Sequence, residues 1–163
     1  MIVKNKLHPD VLAWEIEMLD LGIDAENLDY KLQDGSLFGG LSTRFENKNI
    51  LLLKKKKNSL NINFIKEKVP EHKEIDIKIF KDIPGFKLFP HEDAPHHKAF
   101  LMFNLTNNID STMFYDVEKK FLCKGPNKKN KGVFHILRTK PPIFHAIENT
   151  SNKNRYTAIA FIK

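Results

Sequence analysis

Cysteine is nearly absent from this chain: Cys123 is the only one among 163 residues. A single thiol excludes an internal disulfide framework and a zinc site built from several cysteines, and it is typical of a reducing compartment. The first ten residues lack the apolar stretch of a secretory signal, and no apolar run approaches the length needed to cross a bilayer. We therefore expect a cytoplasmic protein without a membrane partner.

Repeats, linkers and phosphate-binding motifs are also missing. The chain has no internal repeat and no low-complexity linker, and its 163 residues can bury one substantial hydrophobic core. The pair Gly39-Gly40 lacks the lysine and the spacing of a phosphate-binding loop. We predict a single domain over residues 1–163, with residues 33–49 as a connector. Within the connector, position and glycine content make residues 34–49 a candidate lid.

Acidic residues are outnumbered by basic ones. The chain has 27 Lys and Arg against 20 Asp and Glu, which gives a net charge of +7. A basic chain can bind nucleic acid or an anionic membrane, and the lysines at 54–57 and the loop at 124–131 are where nucleic acid would bind. Lysine is spread along the chain together with many Asn, Ile and Phe, as an AT-rich genome would encode. This pattern favours solvated surface charge, so nucleic acid stays a secondary hypothesis.

The C-terminal half consists of short strand-like segments. Residues 75–79 alternate apolar and polar side chains and predict a half-buried strand. Apolar runs separated by turn signals predict further strands at 86–89, 99–105, 112–117, 133–137, 143–147 and 156–162. Short strands with regular turns and no intervening helical periods indicate an all-β barrel or sandwich.

In the N-terminal half, the sequence pattern predicts a helix before the strands. Pro9 and Asp10 suit the first turn of a helix, and apolar residues follow at helical spacing, so we predict a helix over about 9–21. Residues 50–53 and 61–65 predict two short strands. A helix ahead of many strands favours a mainly β fold, namely a double-stranded β-helix, or jelly roll, with one or a few N-terminal helices packed outside.

Three residues with metal-binding side chains stand out in the C-terminal half. His91 and Asp93 are two residues apart on an extended segment, so their side chains face the same side and Glu92 points away. His145 lies in an apolar strand much further along the chain. Alone, each feature is more often structural than functional. Together, two imidazoles and one carboxylate on one side of an iron leave its other positions open, as in non-haem Fe(II) oxygenases.

Arg155 opens the strand that follows His145. A hairpin would bring Arg155 back beside the strand of His145, and Arg155 and Thr157 face the same way because they share one parity. An arginine inside a barrel is costly unless its charge is paired. A bound dicarboxylate would pair it, because the planar guanidinium matches a carboxylate.

In order and spacing, these residues resemble the 2-oxoglutarate- and Fe(II)-dependent dioxygenases, most closely the prolyl-4-hydroxylase-like branch. The matching motifs are Pro-His-x-Asp at 90–93, Thr-x-Phe-Tyr at 112–115, the distal His145 and Arg-x-Thr at 155–157. The resemblance covers roughly residues 75–163, which would form the metal and cosubstrate core.

The resemblance implies a site and an activity. His91, Asp93 and His145 would hold Fe(II) as the catalytic centre, and Arg155 with Thr157 would bind the distal carboxylate of the cosubstrate 2-oxoglutarate. Members of this family use O2 and 2-oxoglutarate to hydroxylate C–H bonds. We therefore expect a hydroxylase that acts on a peptide or a small molecule.

Departures from the family pattern keep alternatives open. Leu88 stands where many prolyl hydroxylases carry a tyrosine that lines the site, which puts a prolyl substrate in question more than the iron. The short chain and its basic surface also allow a non-catalytic jelly-roll binding or structural module. His96 and His97 would be exposed loop residues, substrate contacts or competing zinc ligands, and Tyr115 has no assigned role. His135, in an apolar strand, is predicted to be structural.

Overall fold

The structure, a computed structural model, describes residues 1–33, 44–47 and 60–163. These residues form twelve strands, one 3-10 turn and one α-helix. The 3-10 turn is Ala25–Asn27, and the helix α1 is Ile62–Lys68. The strands in chain order are β1 (Ile2–His8), β2 (Val11–Glu17), β3 (Tyr30–Gln33), β4 (Arg44–Asn47), β5 (Ile75–Asp82), β6 (Lys87–His91), β7 (Ala99–Asn104), β8 (Met113–Tyr115), β9 (Phe121–Lys124), β10 (Lys131–Ile136), β11 (Phe144–Glu148) and β12 (Arg155–Ile162).

The strands build two antiparallel sheets. The larger sheet has eight strands in the order β1-β2-β10-β7-β12-β5-β4-β3, and the smaller has four in the order β6-β11-β8-β9. Several neighbouring strands, such as β2 and β10, β7 and β12, and β6 and β11, come from distant parts of the chain, which is typical of jelly rolls. The mainly β prediction is therefore confirmed, and so are the strands predicted between residues 75 and 162. The sequence pattern did not predict the strand β9.

The larger sheet is covered on both faces. Its inner face packs against the smaller sheet through one apolar cluster, which includes Phe80, Phe100, Met102, Phe114 and Ile159. Its outer face packs against α1 and the segment around the 3-10 turn through a second cluster. Because β7 lies between these two layers, all six of its residues are buried, which explains why its sequence is a continuous apolar run instead of an alternating one.

The predicted helix over 9–21 is wrong. Pro9 and Asp10 form the turn of a hairpin between β1 and β2, and β2 also pairs with β10. Val11 and Ala13 pack into the inner cluster, whereas Ile16 packs into the outer one. A short apolar run matches both helical and strand periods. Pairing with strands on both sides decides in favour of the strand, and no α-helix precedes residue 62 in the described chain.

Two other N-terminal predictions are also wrong. The strand predicted at 61–65 is the start of α1, where the Asn61 side chain accepts a hydrogen bond from the Phe64 backbone N–H at 3.0 Å as a helix cap. Part of the predicted connector over 33–49 is the strand β4. The rest of the candidate lid, the strand predicted at 50–53 and the lysines at 54–57 lie outside the described residues. None of the helices in the described chain is long and apolar enough to cross a membrane.

Candidate metal centre

The smaller sheet brings the two predicted histidine ligands together. His91 is the last residue of β6, His145 lies in β11, and the antiparallel pairing of these strands places the two residues opposite each other. Their ring centroids are 4.4 Å apart. Asp93 follows β6 by two residues and so remains on the same side of the chain. Residues separated by more than 50 positions in sequence thus meet because of one strand pairing.

The ligand atoms of His91, Asp93 and His145 all lie within 4.8 Å of one another. One carboxylate oxygen, Asp93 Oδ1, is 3.6 Å from His91 Nε2 and 3.6 Å from His145 Nε2. His145 is buried, whereas His91 and Asp93 are half-buried. Three donors this close together form a group that can hold a metal ion, and three protein ligands leave coordination positions for other ligands.

A hydrogen bond orients the ring of His91, and contacts with two histidines favour the charged form of Asp93. His91 Nδ1 lies 2.7 Å from the Phe89 carbonyl oxygen and donates to it, which leaves Nε2 with a lone pair directed at the centre. Burial alone would raise the pKa of Asp93, but its interactions with His145 and His91 outweigh burial and hold that pKa well below its ordinary value. Asp93 is therefore ionised at neutral pH, as a metal ligand must be.

Glu92 faces a different partner, as its position between His91 and Asp93 predicts. Its carboxylate pairs with Arg138, with Nη1 and Oε2 3.0 Å apart. The same guanidinium donates through Nη2 to the backbone carbonyl of Asp93. Arg138 therefore stabilises the turn that carries Asp93 without occupying the carboxylate of Asp93.

Three further histidines lie near the centre. The ring of His97 stacks on Phe161 at a centroid distance of 4.6 Å, and His96 contacts His97 at 4.2 Å. His135 is fully buried, with its ring 6.1 Å from that of His145. Burial lowers the pKa of His135 to about 3, so its ring is neutral. Sequence periodicity indicated a buried His135 but not its position behind a proposed ligand.

Tyr115 faces away from the centre. In β8 the buried residue is Phe114, and Tyr115 is on the opposite side of the strand. Its hydroxyl donates to Met113 Sδ at 3.4 Å, and its ring packs edge-on against Phe121. These contacts place Tyr115 on the outer face of the smaller sheet.

Arg155 lies at the base of the space between the sheets and has a partner within the chain. Its side chain is 1% exposed and that of Asp82 is 0% exposed, with Arg155 Nη1 2.8 Å from Asp82 Oδ2. The two residues are opposite each other in the pairing of β12 with β5. Arg155 Nη2 also lies 3.7 Å from Met102 Sδ. The charge that a dicarboxylate was expected to neutralise is thus already neutralised by Asp82.

Thr157 shares the inward face with Arg155. Its hydroxyl is fully buried and makes no hydrogen bond within the described chain. Buried hydroxyls are nearly always satisfied, so this one is available to a ligand. The prediction that Arg155 and Thr157 bind the cosubstrate stays a prediction.

Two cavities adjoin the centre. The first, called the mouth pocket, has a volume of about 290 Å³, and its walls include His91 and Asp93 together with Lys78, His97, Phe161 and Lys163. The second, called the inner cavity, has a volume of about 20 Å³ and is lined by Asp93, His145, Met102, Ile159 and Phe161 among others. The inner cavity has room for about one water molecule. Sequence reasoning did not identify Lys78, because nothing in a single alternating strand marks which face meets the metal centre.

No protein-family model matches the chain, and no curated protein matches it by sequence. Its fold is similar to that of a prolyl-4-hydroxylase from Pseudomonas putida, with a TM-score of 0.69 and 7% identity, over 94% of each chain. A second similar structure is an oxidoreductase of the 2OG-Fe(II) oxygenase family from Burkholderia pseudomallei, with a TM-score of 0.65, 11% identity and coverage of 85% of this chain and 75% of that one.

A third similar structure is the viral collagen prolyl hydroxylase of Paramecium bursaria chlorella virus-1. It has a TM-score of 0.51 and 14% identity, over 86% of this chain and 98% of the viral one. At such low identities, these likenesses establish a fold shared with 2OG-Fe(II) oxygenases. The finer resemblance to the prolyl-4-hydroxylase-like branch stays a prediction.

Proposed function

We propose that the chain is an Fe(II)- and 2-oxoglutarate-dependent oxygenase that hydroxylates a C–H bond of a peptide or small molecule. The observation that carries this proposal is the convergence of His91, Asp93 and His145 within 4.8 Å, in a fold shared with 2OG-Fe(II) oxygenases. Function resides in sites and not in folds, so the triad carries more weight than the fold.

The donor set fits Fe(II). His91 presents Nε2 because the backbone carbonyl of Phe89 accepts a hydrogen bond from Nδ1, and Asp93 supplies one negative charge at neutral pH. Iron, when bound, would supply the activation of O2 and the oxidising power for attack on a C–H bond. The chain holds the ligands in place and gives the inner side of the centre a mostly apolar surface, where the ring of Phe100 lies 4.8 Å from that of His145 and most residues that line the inner cavity are apolar.

In the observed arrangement of side chains, the base of the barrel around Arg155 does not accommodate 2-oxoglutarate. Asp82 already pairs with Arg155, and the inner cavity of about 20 Å³ holds no dicarboxylate. Binding at Arg155 and Thr157 would require the side chains of Asp82 and Met102 to move. The orphaned Thr157 hydroxyl supports a ligand at that place, but the ion pair opposes it.

Anaerobic titration with Fe(II) and then 2-oxoglutarate tests the proposal. The wild type should develop the weak visible charge-transfer band of a 2-oxo acid chelated to iron, and His145→Ala should abolish it. His8→Ala is the matched control, because His8 lies at the end of β1 and is absent from the metal-binding group. A folded wild type that binds neither Fe(II) nor 2-oxoglutarate would refute the proposal.

A non-catalytic jelly-roll binding module is the second candidate. The observation that favours it is the closed base of the barrel, where Arg155 and Asp82 neutralise each other. A ligand that binds only the folded state raises its stability. Thermal unfolding with and without Fe(II) and 2-oxoglutarate therefore separates the candidates: no shift with either ligand favours the module.

A further inference from the structure

The outer face of the smaller sheet, which points away from the triad, carries several aromatic side chains. In β8 the side chain of Phe114 is fully buried in the inner cluster, so that of Tyr115 lies on the outer face. Tyr115 pairs with Phe144 of β11 on one side and with Phe121 of β9 on the other. Because paired residues of neighbouring strands share a face, aromatic rings from three adjacent strands lie side by side there.

These rings are accessible from outside. Phe121 is 52% exposed, and Tyr115 and Phe144 are half-buried. The rings of Tyr115 and Phe121 meet edge to face, with their centroids 6.0 Å apart. A fourth ring is that of Phe89, which is 53% exposed and follows the buried Leu88 in β6. Phe89, Phe144, Tyr115 and Phe121, which we call the aromatic patch, thus span all four strands of the smaller sheet.

Lysines lie beside the aromatic patch at both of its edges. Lys120 directly precedes β9, and Lys124 ends that strand opposite Met113, on the outer face. Both lysines are exposed. At the other edge, Lys87 Nζ lies 5.4 Å from the centre of the Phe89 ring. Aromatic rings and ammonium groups therefore alternate across this face.

The acidic side chains close to the aromatic patch are mostly engaged. Glu148 Oε1 lies 3.5 Å from Lys87 Nζ. Asp116 Oδ1 accepts hydrogen bonds from the backbone N–H groups of Glu118 and Lys120, each at 2.9 Å. Glu118 itself is exposed and is followed by two exposed lysines. Together with the net charge of +7 for the whole chain, this balance favours an anionic partner over a cationic one.

Aromatic rings interleaved with ammonium groups fit a single-stranded nucleic acid. Its bases can stack on exposed rings while lysines neutralise its phosphates. An acidic peptide would use the lysines and leave the ring faces unused, and a duplex keeps its bases stacked on one another. In the described chain β9 is an edge strand of the smaller sheet, and lysines at both of its ends oppose pairing with a strand of another protein.

We propose that the outer face of the smaller sheet binds single-stranded nucleic acid. Bases stack on the aromatic patch, and phosphates lie beside Lys120 and Lys124. This surface is on the opposite side of the smaller sheet from His145, whose side chain lines the inner cavity. The binding therefore goes beyond the proposed function and does not depend on bound iron.

Fluorescence anisotropy with a labelled oligothymidylate tests this binding on the full chain. The wild type should bind it more tightly than the duplex that it forms with oligoadenylate, and affinity should fall steeply as salt is raised from about 50 to about 200 mM. Phe121→Ala should weaken binding by about 5-fold to 150-fold, the effect of losing one stacked base. Phe121→Leu, which keeps an apolar side chain without an aromatic ring, should weaken it nearly as much.

A pair of lysine variants and a matched control test the phosphate contacts. Lys120→Gln combined with Lys124→Gln should make the slope of log affinity against log salt shallower by about 1.4, because each phosphate contact of a single strand contributes about 0.7. Lys66→Gln combined with Lys73→Gln removes the same charge from exposed positions in and after α1, which covers the outer face of the larger sheet. This control should leave the slope unchanged.

Three outcomes would overturn the proposal. The first is a folded wild type that binds no oligothymidylate at low salt, and the second is an equal loss of affinity in the two lysine pairs, which would indicate general charge attraction. The third is unchanged binding by Phe121→Ala; if that variant also converts a dimer to a monomer in light scattering, the aromatic patch is an interface between two copies of the chain. His145→Ala should bind like the wild type, and loss of binding in that folded variant would place the nucleic acid at the triad instead.

Discussion

Asp82 and Arg155 face each other across β5 and β12, with a charged contact of 2.8 Å and almost no exposure to solvent. The family resemblance assigns the Arg155 guanidinium to a cosubstrate. In the structure, the carboxylate of Asp82 already neutralises its charge. The triad at the mouth of the barrel is independent of it, since His91, Asp93 and His145 are held by the smaller sheet and the turn that follows β6.

Removing one member of the buried pair should lower the free energy of unfolding more than removing both members. Arg155→Leu removes the guanidinium that pairs with the buried Asp82 carboxylate, so we expect the free energy of unfolding to fall by about 3–5 kcal/mol. Adding Asp82→Leu should restore part of that loss, because both charges are then gone. Urea denaturation of the two single variants and the double variant gives the coupling energy. Strictly additive effects would show that the two side chains do not interact.

Metal affinity should depend on Asp93 and not on Glu92. Loss of an outer partner of a metal ligand typically costs about 10-fold to 100-fold in affinity, so loss of a direct ligand in Asp93→Ala should cost more than about 100-fold. Glu92→Ala is the neighbouring control and removes a carboxylate that binds Arg138. Anaerobic calorimetry with Fe(II) measures both. Equal losses in the two variants would contradict the assignment of Asp93.

Acid should destabilise the metal-free protein through His135. Burial lowers its pKa in the folded state to about 3, whereas an unfolded histidine titrates near about 6.5. The unfolded state therefore binds a proton first, and stability falls as the pH decreases from about 6.5 towards 3, by up to about 1.4 kcal/mol per pH unit. His135→Gln should reduce this slope in urea denaturation at pH 7, 6 and 5. An unchanged slope would mean that His135 accepts a proton while the protein is folded.

Truncation of Phe114 should show how tightly the space behind the centre is packed. Phe114 is fully buried in the inner cluster, and its ring lies 5.0 Å from that of His135. Phe114→Ala should lower the free energy of unfolding by about 3–5 kcal/mol. Phe121→Ala in the neighbouring strand β9 is the control, because Phe121 is 52% exposed. Chemical denaturation compares them, and similar losses would contradict the packing described for β8.

Much of the fold and the candidate triad was predictable from sequence. The alternation at 75–79 predicted β5, and the spacing of His91 and Asp93 predicted that their side chains lie on one side. The structure adds that the pairing of β6 with β11 brings His145 to the same point. Those predictions depend on local periodicity, which a single sequence records.

The features that the sequence did not reveal depend on register between distant strands. Residues 9–21 match the helical period, and only pairing of β2 with both β1 and β10 makes residues 11–17 of this segment a strand. The partner of Arg155 is set by the alignment of β12 with β5, which brings Asp82 opposite it. The place of Lys78 in the mouth pocket follows from the same alignment. No motif around these residues encodes that register.

Because β6 pairs with β11, an ion bound at the proposed triad would also have a mechanical role. An ion held by His91, Asp93 and His145 crosslinks two segments that are otherwise joined there by a short, irregular ladder, whose register shifts between His145 and Ile147. A chelator that withdraws the ion would remove this crosslink and leave the strand pairing of the larger sheet intact. Amide hydrogen exchange should then accelerate first in residues 87–91 and 144–148, while β7 and β12, which are covered on both faces, keep their protection.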